Sequence, residues 1–514
     1  MAPSLASANN GPITQIALCR TPTAYHTDSD TPLTHGFGHG GIGGVGGGVG
    51  VGGGSGGGSV GSGSGSGNAQ TTTGAAHHHP QHSQHLNQHH NHHLHYPPHH
   101  TSRDSSHYTD DAIEAGFPDP AKTWNPDARV YYSRRLKKKN SKATVVSQDV
   151  PLPNGFPAQI PPATTPLVWS GQDLTEGEYL RHLSSDDITE IEGALAHFKG
   201  LNLPLASVGR RTFPLPSLGP RIIALSGKLY GDNNGRGFFI LRGLEPRKYN
   251  AEDNVIIYAG VSSYVAERRG KQDEKNNCLH LTAAVAPDNL RQAPYSNVPQ
   301  PFHTDTGDVL ALYSLQTASS GGRSILASSW KVYNELASQH PAHISTLSQP
   351  NWAFDSFGRA PAFTYRPLLH LLPESKRVLL SFSRRPLTGS PVSPRTPTIP
   401  PLTSTQSDAL DTVHFTALAH AVYIRQQRGD LQYWNNFALL HAREGFEDSP
   451  EEKRHLLRLW LRDDSRAEKW GEIPEVLRPT WNEAYENYGE EVWPVQPQRD
   501  RTFVIEQRRS SGFA

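Results

Sequence analysis

This sequence contains very little cysteine and no long apolar run. Its 514 residues include only two cysteines, Cys19 and Cys278, too few for a disulfide framework, and this favours a reducing compartment. The apolar runs are too short to cross a bilayer, and the N-terminus lacks the charged and then apolar pattern of a signal peptide. We therefore expect a soluble intracellular protein, located in the cytoplasm or alternatively in the nucleus.

The sequence also lacks a net charge. Its 48 basic residues balance its 48 acidic residues, so no global field attracts nucleic acid or an anionic membrane. We therefore expect neither of these as a partner.

Apolar residues make up only 35% of the chain, and two low-complexity stretches explain much of this deficit. Residues Gly36 to Gly67 are almost all glycine and serine, and residues His77 to His100 are dominated by histidine. Neither stretch can bury enough apolar surface to offset the entropy of the chain. The sequence thus predicts a disordered tail over residues 1–144 and one catalytic domain over residues 145–514.

Two features of this tail are open to two interpretations each. The histidine cluster is either a low-complexity expansion, which we favour, or a loose metal-binding tract. The basic run Arg134 to Lys142 resembles a nuclear-import or phosphate-contacting patch. It is equally typical of a solvated run of charges between a tail and a domain.

Residues 145–514 mix short strands with helices and show no repeated strand–helix–strand period. The apolar spacing predicts a helix over Asp186 to Lys199 with Ser185 as its N-cap. Short apolar runs predict strands at Gly237 to Gly243 and at Asp308 to Leu315. This pattern indicates a mainly β fold with flanking helices, a β-sandwich or a distorted jelly roll (double-stranded β-helix).

The most informative feature is a pair of potential metal ligands followed by a distant histidine. His303 and Asp305 lie two residues apart, and in extended chain such residues point to the same side. His441 is the candidate third ligand. Two imidazoles and one carboxylate leave one face of a metal open, which favours an Fe(II) oxygenase over a structural zinc site. No H-E-x-x-H element is present to support a zinc hydrolase.

Arginines on one face of a strand follow this histidine. In the predicted strand, Arg454, Arg458 and Arg462 lie on one face. Leu457, Leu459 and the other odd-numbered residues lie on the opposite face. Burying an arginine without a partner is costly. The pattern therefore indicates either that the arginines face anions inside the protein or that the strand lies at a sheet edge with its arginines in solvent. Arg454 can hold a carboxylate co-substrate with two hydrogen bonds.

Ser324 follows two glycines, Gly321 and Gly322, and its hydroxyl is a candidate donor to the same carboxylate. An ordinary glycine turn explains this element equally well.

Taken together, Phe-His303-Thr-Asp305, the Gly-Gly-x-Ser element, and His441 with Arg454 resemble the TauD/TfdA family of Fe(II)- and 2-oxoglutarate-dependent dioxygenases. The resemblance extends in order and spacing from about Val145 to Arg509. It implies an enzyme that hydroxylates a small-molecule substrate with O2, releasing succinate and CO2. The implied substrate is anionic, a sulfonate or a carboxylate.

The resemblance also assigns roles to individual residues. It implies that His303, Asp305 and His441 are the catalytic residues that bind iron. Arg454 would bind the distal carboxylate of 2-oxoglutarate together with Ser324, which stands where the family usually has threonine. Arg458 matches a position that meets the anionic group of the substrate, and Asn297 is expected near the substrate.

Three alternatives remain open from the sequence. The chain could be a non-catalytic sensor of metal or anions with the same fold, although a complete ligand set argues against loss of activity. It could be a nuclear oxygenase that modifies proteins, which only the basic run suggests. Residues Thr388 to Gln406, rich in Pro, Ser and Thr, are either a lid or an exposed loop.

Overall fold

A computed structural model of the chain describes residues 124–140, 150–272, 276–283, 293–390, 393–486 and 489–497. These residues all belong to one compact unit, Thr101–Ala514. The Gly/Ser-rich and His-rich stretches lie outside the described residues. Among the described helices, none combines the length and the apolar character needed to span a bilayer.

The larger sheet contains seven strands and provides one wall of the core. Its central strand, Val309–Gln316, pairs antiparallel with Leu431–Asn435 on one side and with His455–Arg462 on the other. The remaining strands of this sheet are Leu180–His182, Phe238–Arg242, Arg268–Gly270 and Leu279–Thr282.

The alternation in His455–Arg462 gives the two faces of this strand different neighbours. Leu457, Leu459 and Leu461 are fully buried in one apolar cluster, which also contains residues of the helices Ser185–Gly200 and Ala251–Ser263. Leu456 and Trp460 belong to a second cluster on the opposite face. The predicted division of this strand into two faces is confirmed, and its arginine face lies inside the protein.

The smaller sheet contains four strands, in the order Val422–Ile424, Ser324–Ser328, Leu439–Arg443 and Gln300–His303. All of its pairs are antiparallel. The two sheets, with helices packed outside them, form the expected double-stranded β-helix, so the predicted fold class is confirmed.

Helices and short hairpins surround the two sheets. The helices are Ala128–Asn140, Glu176–Tyr179, Ser185–Gly200, Leu218–Ser226, Ala251–Ser263, Ser329–Gln339, Pro341–Ser348, Arg385–Thr388, Ser404–Ala419, Asp464–Trp470 and Arg478–Tyr485. The two-stranded pairs are Trp352–Asp355 with Phe363–Arg366, Leu369–Leu371 with Val378–Leu380, Gly389–Ser390 with Ser393–Pro394, and Ser320–Gly321 with Phe446–Glu447.

The helix predicted from Asp186 begins one residue earlier, and its N-cap is Ser184 rather than Ser185. The Ser184 hydroxyl accepts a hydrogen bond from the backbone of Asp187, and the Asp187 carboxylate accepts one from the backbone of Ser184. This reciprocal capping box satisfies two donors that a helix start leaves open. The Ser185 prediction was wrong because only the structure shows which serine has extended backbone.

The helix Ala128–Asn140 lies within residues 1–144, the range predicted to be a disordered tail. It packs on the helix Ser404–Ala419, with the Tyr131 ring stacked on Phe415 at a centroid distance of 4.5 Å. Arg134 also contacts the Asp411 carboxylate at 2.6 Å. Ordered structure therefore begins before the predicted domain boundary. The start of the basic run contributes to intramolecular packing, and residues beyond Asn140 in that run lie outside the described residues.

Candidate metal centre

The three predicted ligands meet between the two strands at one edge of the smaller sheet. The strand Gln300–His303 ends at His303, which pairs directly with His441 on the neighbouring strand. Asp305 Oδ1 lies 3.6 Å from His303 Nε2 and 3.9 Å from His441 Nε2. One ligand atom from each residue lies within 4.8 Å of the others, so a single ion can contact all three.

The His303 imidazole is held in the tautomer that can bind a metal through Nε2. His303 Nδ1 donates to the backbone carbonyl of Pro301 at 2.9 Å, which leaves the lone pair of Nε2 directed into the cluster. The Gln300 amide reaches this nitrogen at 3.0 Å, so an ion that takes the lone pair displaces a single hydrogen bond. Burial lowers the pKa of His303 and lowers the pKa of His441 further. Both rings are therefore neutral, as metal ligation requires.

The Asp305 carboxylate has one oxygen engaged and one exposed to the cluster. Its Oδ2 accepts hydrogen bonds from Arg458 Nη1 at 2.9 Å and from Trp460 Nε1 at 3.2 Å. Its Oδ1 is buried and has no hydrogen-bond partner within the described part of the chain. A buried carboxylate oxygen without a donor is costly, and a cation between this oxygen and the two imidazoles would satisfy it. The residues thus fit a divalent metal with three protein ligands.

A cavity beside the cluster contains the predicted co-substrate residues. His303, His441, Ser324 and Arg454 line it. Arg454 and Ser324 are both buried, and burial lowers the pKa of Arg454 to about 10. Its Nε has no hydrogen-bond partner among the described atoms, so the cavity presents a desolvated guanidinium that an anion can bind.

The two predicted substrate residues differ in position. Arg458 lines the same cavity, but its guanidinium already contacts Asp305 and donates from Nε to Gln272 Oε1 at 2.6 Å. Asn297 is exposed and does not line the cavity. Its backbone carbonyl accepts a hydrogen bond from the Phe446 amide.

Sequence reasoning missed a third arginine in the cavity lining, Arg443. Its guanidinium donates to the backbone carbonyls of Ser296 at 2.6 Å and Val298 at 2.8 Å. Burial lowers the pKa of Arg443 well below its usual range. Its spacing of two residues from His441, which places both on one side of a strand, was the available signal.

A facial cluster of two imidazoles and one carboxylate, set inside a double-stranded β-helix, defines the class of non-haem Fe(II) oxygenases. The chain belongs to one family of this class, because its residues 201–460 match the model of the family "Taurine catabolism dioxygenase TauD, TfdA family". It is therefore an Fe(II)- and 2-oxoglutarate-dependent dioxygenase that uses O2. The family resemblance and the predicted cofactors are confirmed.

Two curated proteins illustrate this relationship. The chain is 34% identical over 347 residues to the taurine hydroxylase-like protein SAT17 of Stachybotrys chartarum, an alignment that covers 64% of this chain and 88% of that protein. It is 22% identical over 354 residues to the FR-33289 synthase of Streptomyces rubellomurinus, covering 62% and 98% of the two chains. Among solved structures, an asparagine oxygenase complexed with Fe(II), 3-hydroxyasparagine and succinate aligns at 15% identity and a TM-score of 0.42, covering 57% of this chain and 96% of that one.

Proposed function

We propose that His303, Asp305 and His441 hold the Fe(II) of this dioxygenase and that Arg454 and Ser324 bind the distal carboxylate of 2-oxoglutarate. The observation that carries the proposal is the convergence of three ligand atoms on one point, where Asp305 Oδ1 accepts no hydrogen bond from any described residue. The cavity that contains Arg454 and Ser324 opens directly beside this point.

The residues of the chain contribute position and environment. When bound, Fe(II) with 2-oxoglutarate and O2 supplies the oxidant that hydroxylates a C–H bond, with release of succinate and CO2. Arg454 offers two parallel donors to one carboxylate, which fixes both the position and the orientation of the co-substrate. Leu310, Leu312 and Leu326 line the same cavity, and their apolar side chains exclude water and strengthen these contacts.

We further propose that the primary substrate is a small anion, a sulfonate or a carboxylate. Three arginines, Arg443, Arg454 and Arg458, line the cavity, and among the residues that the structure describes no carboxylate does. When Fe(II) is bound, the positive charges of the three arginines and the ion outnumber the negative charges of Asp305 and 2-oxoglutarate. The cavity therefore attracts a further anion. The cytoplasm, with the nucleus as alternative, remains the predicted compartment.

The proposal is tested by succinate formation from 2-oxoglutarate in the presence of Fe(II). A panel of small sulfonates and carboxylates is compared with neutral analogues of the same size, such as the amides. We expect at least one anion to stimulate succinate formation and its amide not to do so. Equal stimulation by charged and neutral members would overturn the anionic assignment.

The ligand assignment is tested by the His303→Ala variant, with His420→Ala as a matched control. His420 is a half-buried histidine that contacts Ser170 and Glu335. We expect His303→Ala to lose both Fe(II) binding and coupled succinate formation, and His420→Ala to retain both. Full activity of His303→Ala would exclude the proposed centre.

A further inference from the structure

Asn436 makes an unusually complete set of hydrogen bonds to the segment that carries Asp305. Its Oδ1 accepts from the Asp305 backbone amide at 3.0 Å. Its Nδ2 donates to the carbonyls of Asp305 at 2.6 Å and Gly307 at 2.8 Å. Its own backbone amide donates to the carbonyl of Asp308. The side chain is buried, and both of its amide hydrogens are used.

These hydrogen bonds hold a segment that lies between two β-strands. The strand Gln300–His303 ends before Asp305, and the next strand begins at Val309. The backbone of residues 304–308 therefore depends on other groups for its position. Asn436 lies in the turn between Leu431–Asn435 and Leu439–Arg443, and the second of these strands carries His441. One stretch of chain thus supplies one candidate ligand and contacts the backbone of another.

The contacts of Asn436 and those of the carboxylate are complementary. Asn436 sets the main chain of Asp305, and thereby the direction of its Cα–Cβ bond. Arg458 and Trp460 then hold Oδ2, which leaves Oδ1 to face the two imidazoles. Groups that orient a ligand in this way raise metal affinity because less ordering remains to be done on binding.

We infer that Asn436 is a positioning residue for the metal centre: it holds the backbone of Asp305 so that its Oδ1 is directed at the ion. This inference rests on the proposed function, since it needs the metal to bind at His303, Asp305 and His441. Asn436 is therefore expected to raise the affinity of the protein for the metal even when no co-substrate is bound.

The test is a Co(II) titration of the metal-free full chain in which the histidines of His77 to His100 are replaced by serine in every variant, so that this cluster does not bind the ion. Binding is followed by the visible absorption of Co(II), which does not depend on turnover. We expect Asn436→Ala to weaken Co(II) binding by about 10–100-fold. The matched control is Asn435→Ala. Asn435 is also buried, but its side chain contacts the Leu229 carbonyl and the Phe437 amide rather than the Asp305 segment. We expect it to reduce the melting temperature and to bind Co(II) as the wild type does.

The outcomes separate this inference from the proposed function. If the wild type and His303→Ala bind Co(II) equally, the proposed metal centre is wrong. If His303→Ala loses Co(II) binding while Asn436→Ala retains wild-type affinity, the positioning role is wrong. It is also wrong if Asn435→Ala loses as much Co(II) affinity as Asn436→Ala does. Should the alanine variant not fold, Asn436→Ser gives the same comparison, and wild-type affinity in that variant overturns the inference.

Discussion

Arg458 donates a hydrogen bond from Nη1 to Asp305 Oδ2 over 2.9 Å. Both side chains are buried, and Nε of the same guanidinium contacts Gln272. The family resemblance assigns this arginine to the anionic group of the substrate. The structure shows that it also orients the carboxylate of the candidate metal centre, so a substrate anion would have to share it with Asp305.

The Arg458→Lys variant separates these two roles. Lysine keeps the positive charge, but it cannot form the planar two-sided contact that bridges Asp305 and Gln272. We expect metal affinity to fall by about 10–100-fold because Asp305 loses an orienting donor, as measured by Co(II) titration of the metal-free protein. Unchanged metal affinity with a raised KM for the primary substrate would instead assign Arg458 to substrate binding alone. Arg323→Lys, at an exposed ion pair with Glu444, is the matched control.

The Arg454→Gln variant tests the co-substrate site. Glutamine removes the charge and one of the two parallel donors, and charge-assisted hydrogen bonds of this kind contribute about 1.5–3 kcal/mol. We expect the KM for 2-oxoglutarate to rise by about 10–100-fold, with little change in Co(II) affinity, because Arg454 does not contact the ligand cluster. Steady-state succinate assays over a range of 2-oxoglutarate concentrations measure this. An unchanged KM would place the carboxylate elsewhere in the cavity.

The sequence was sufficient for the parts of the site that depend on local spacing. His303 and Asp305 are two residues apart, and the alternation after Arg454 predicted the division of that strand into two faces but left open whether the arginine face is buried or solvated. The contacts of Asn436 with Asp305 and of Arg458 with Gln272 join residues more than 100 positions apart. No local pattern reports such pairs, because they arise only when the strands are placed side by side.

The helix Ala128–Asn140 was missed for a related reason. Its sequence is strongly basic and has little amphipathic character, so it resembles a solvated charge run. What stabilises it is the surface on which it docks, where Tyr131 stacks on Phe415 and Arg134 meets Asp411. Helices of this length depend on tertiary contacts more than on intrinsic propensity.

The Asp411→Asn variant tests the buried ion cluster beneath this helix. Asp411 Oδ1 lies 2.9 Å from Arg384 Nη1, Oδ2 lies 2.6 Å from Arg134 Nη2, and both Asp411 and Arg384 are almost fully buried. Removing the carboxylate charge from a buried cluster costs about 3–5 kcal/mol of unfolding free energy. Urea denaturation measures the loss. Glu483→Gln, at an exposed pair with Arg359, should change stability by less than about 1 kcal/mol, and an equally small change for Asp411→Asn would contradict the prediction.

Acid should destabilise the protein through His414, a buried histidine packed edge-on against Phe302. Burial, aided by the positive charge of Arg384, lowers the pKa of His414 to about 3, whereas the unfolded chain takes up this proton near the ordinary value of about 6.5. Above that value the histidine is neutral in both states and has no effect. As the pH falls from 6.5 towards 3, only the unfolded state gains the proton, so the unfolding free energy decreases.

The His414→Gln variant removes this proton uptake. Between pH 6 and pH 4, we expect the unfolding free energy of the wild type to fall more steeply than that of the variant, by about 1 kcal/mol per pH unit. Urea denaturation at several pH values measures the two slopes. His182→Gln, which changes an exposed histidine, should keep the wild-type slope. Parallel slopes for His414→Gln and the wild type would show that His414 takes up its proton equally in the folded and unfolded states, contrary to its burial.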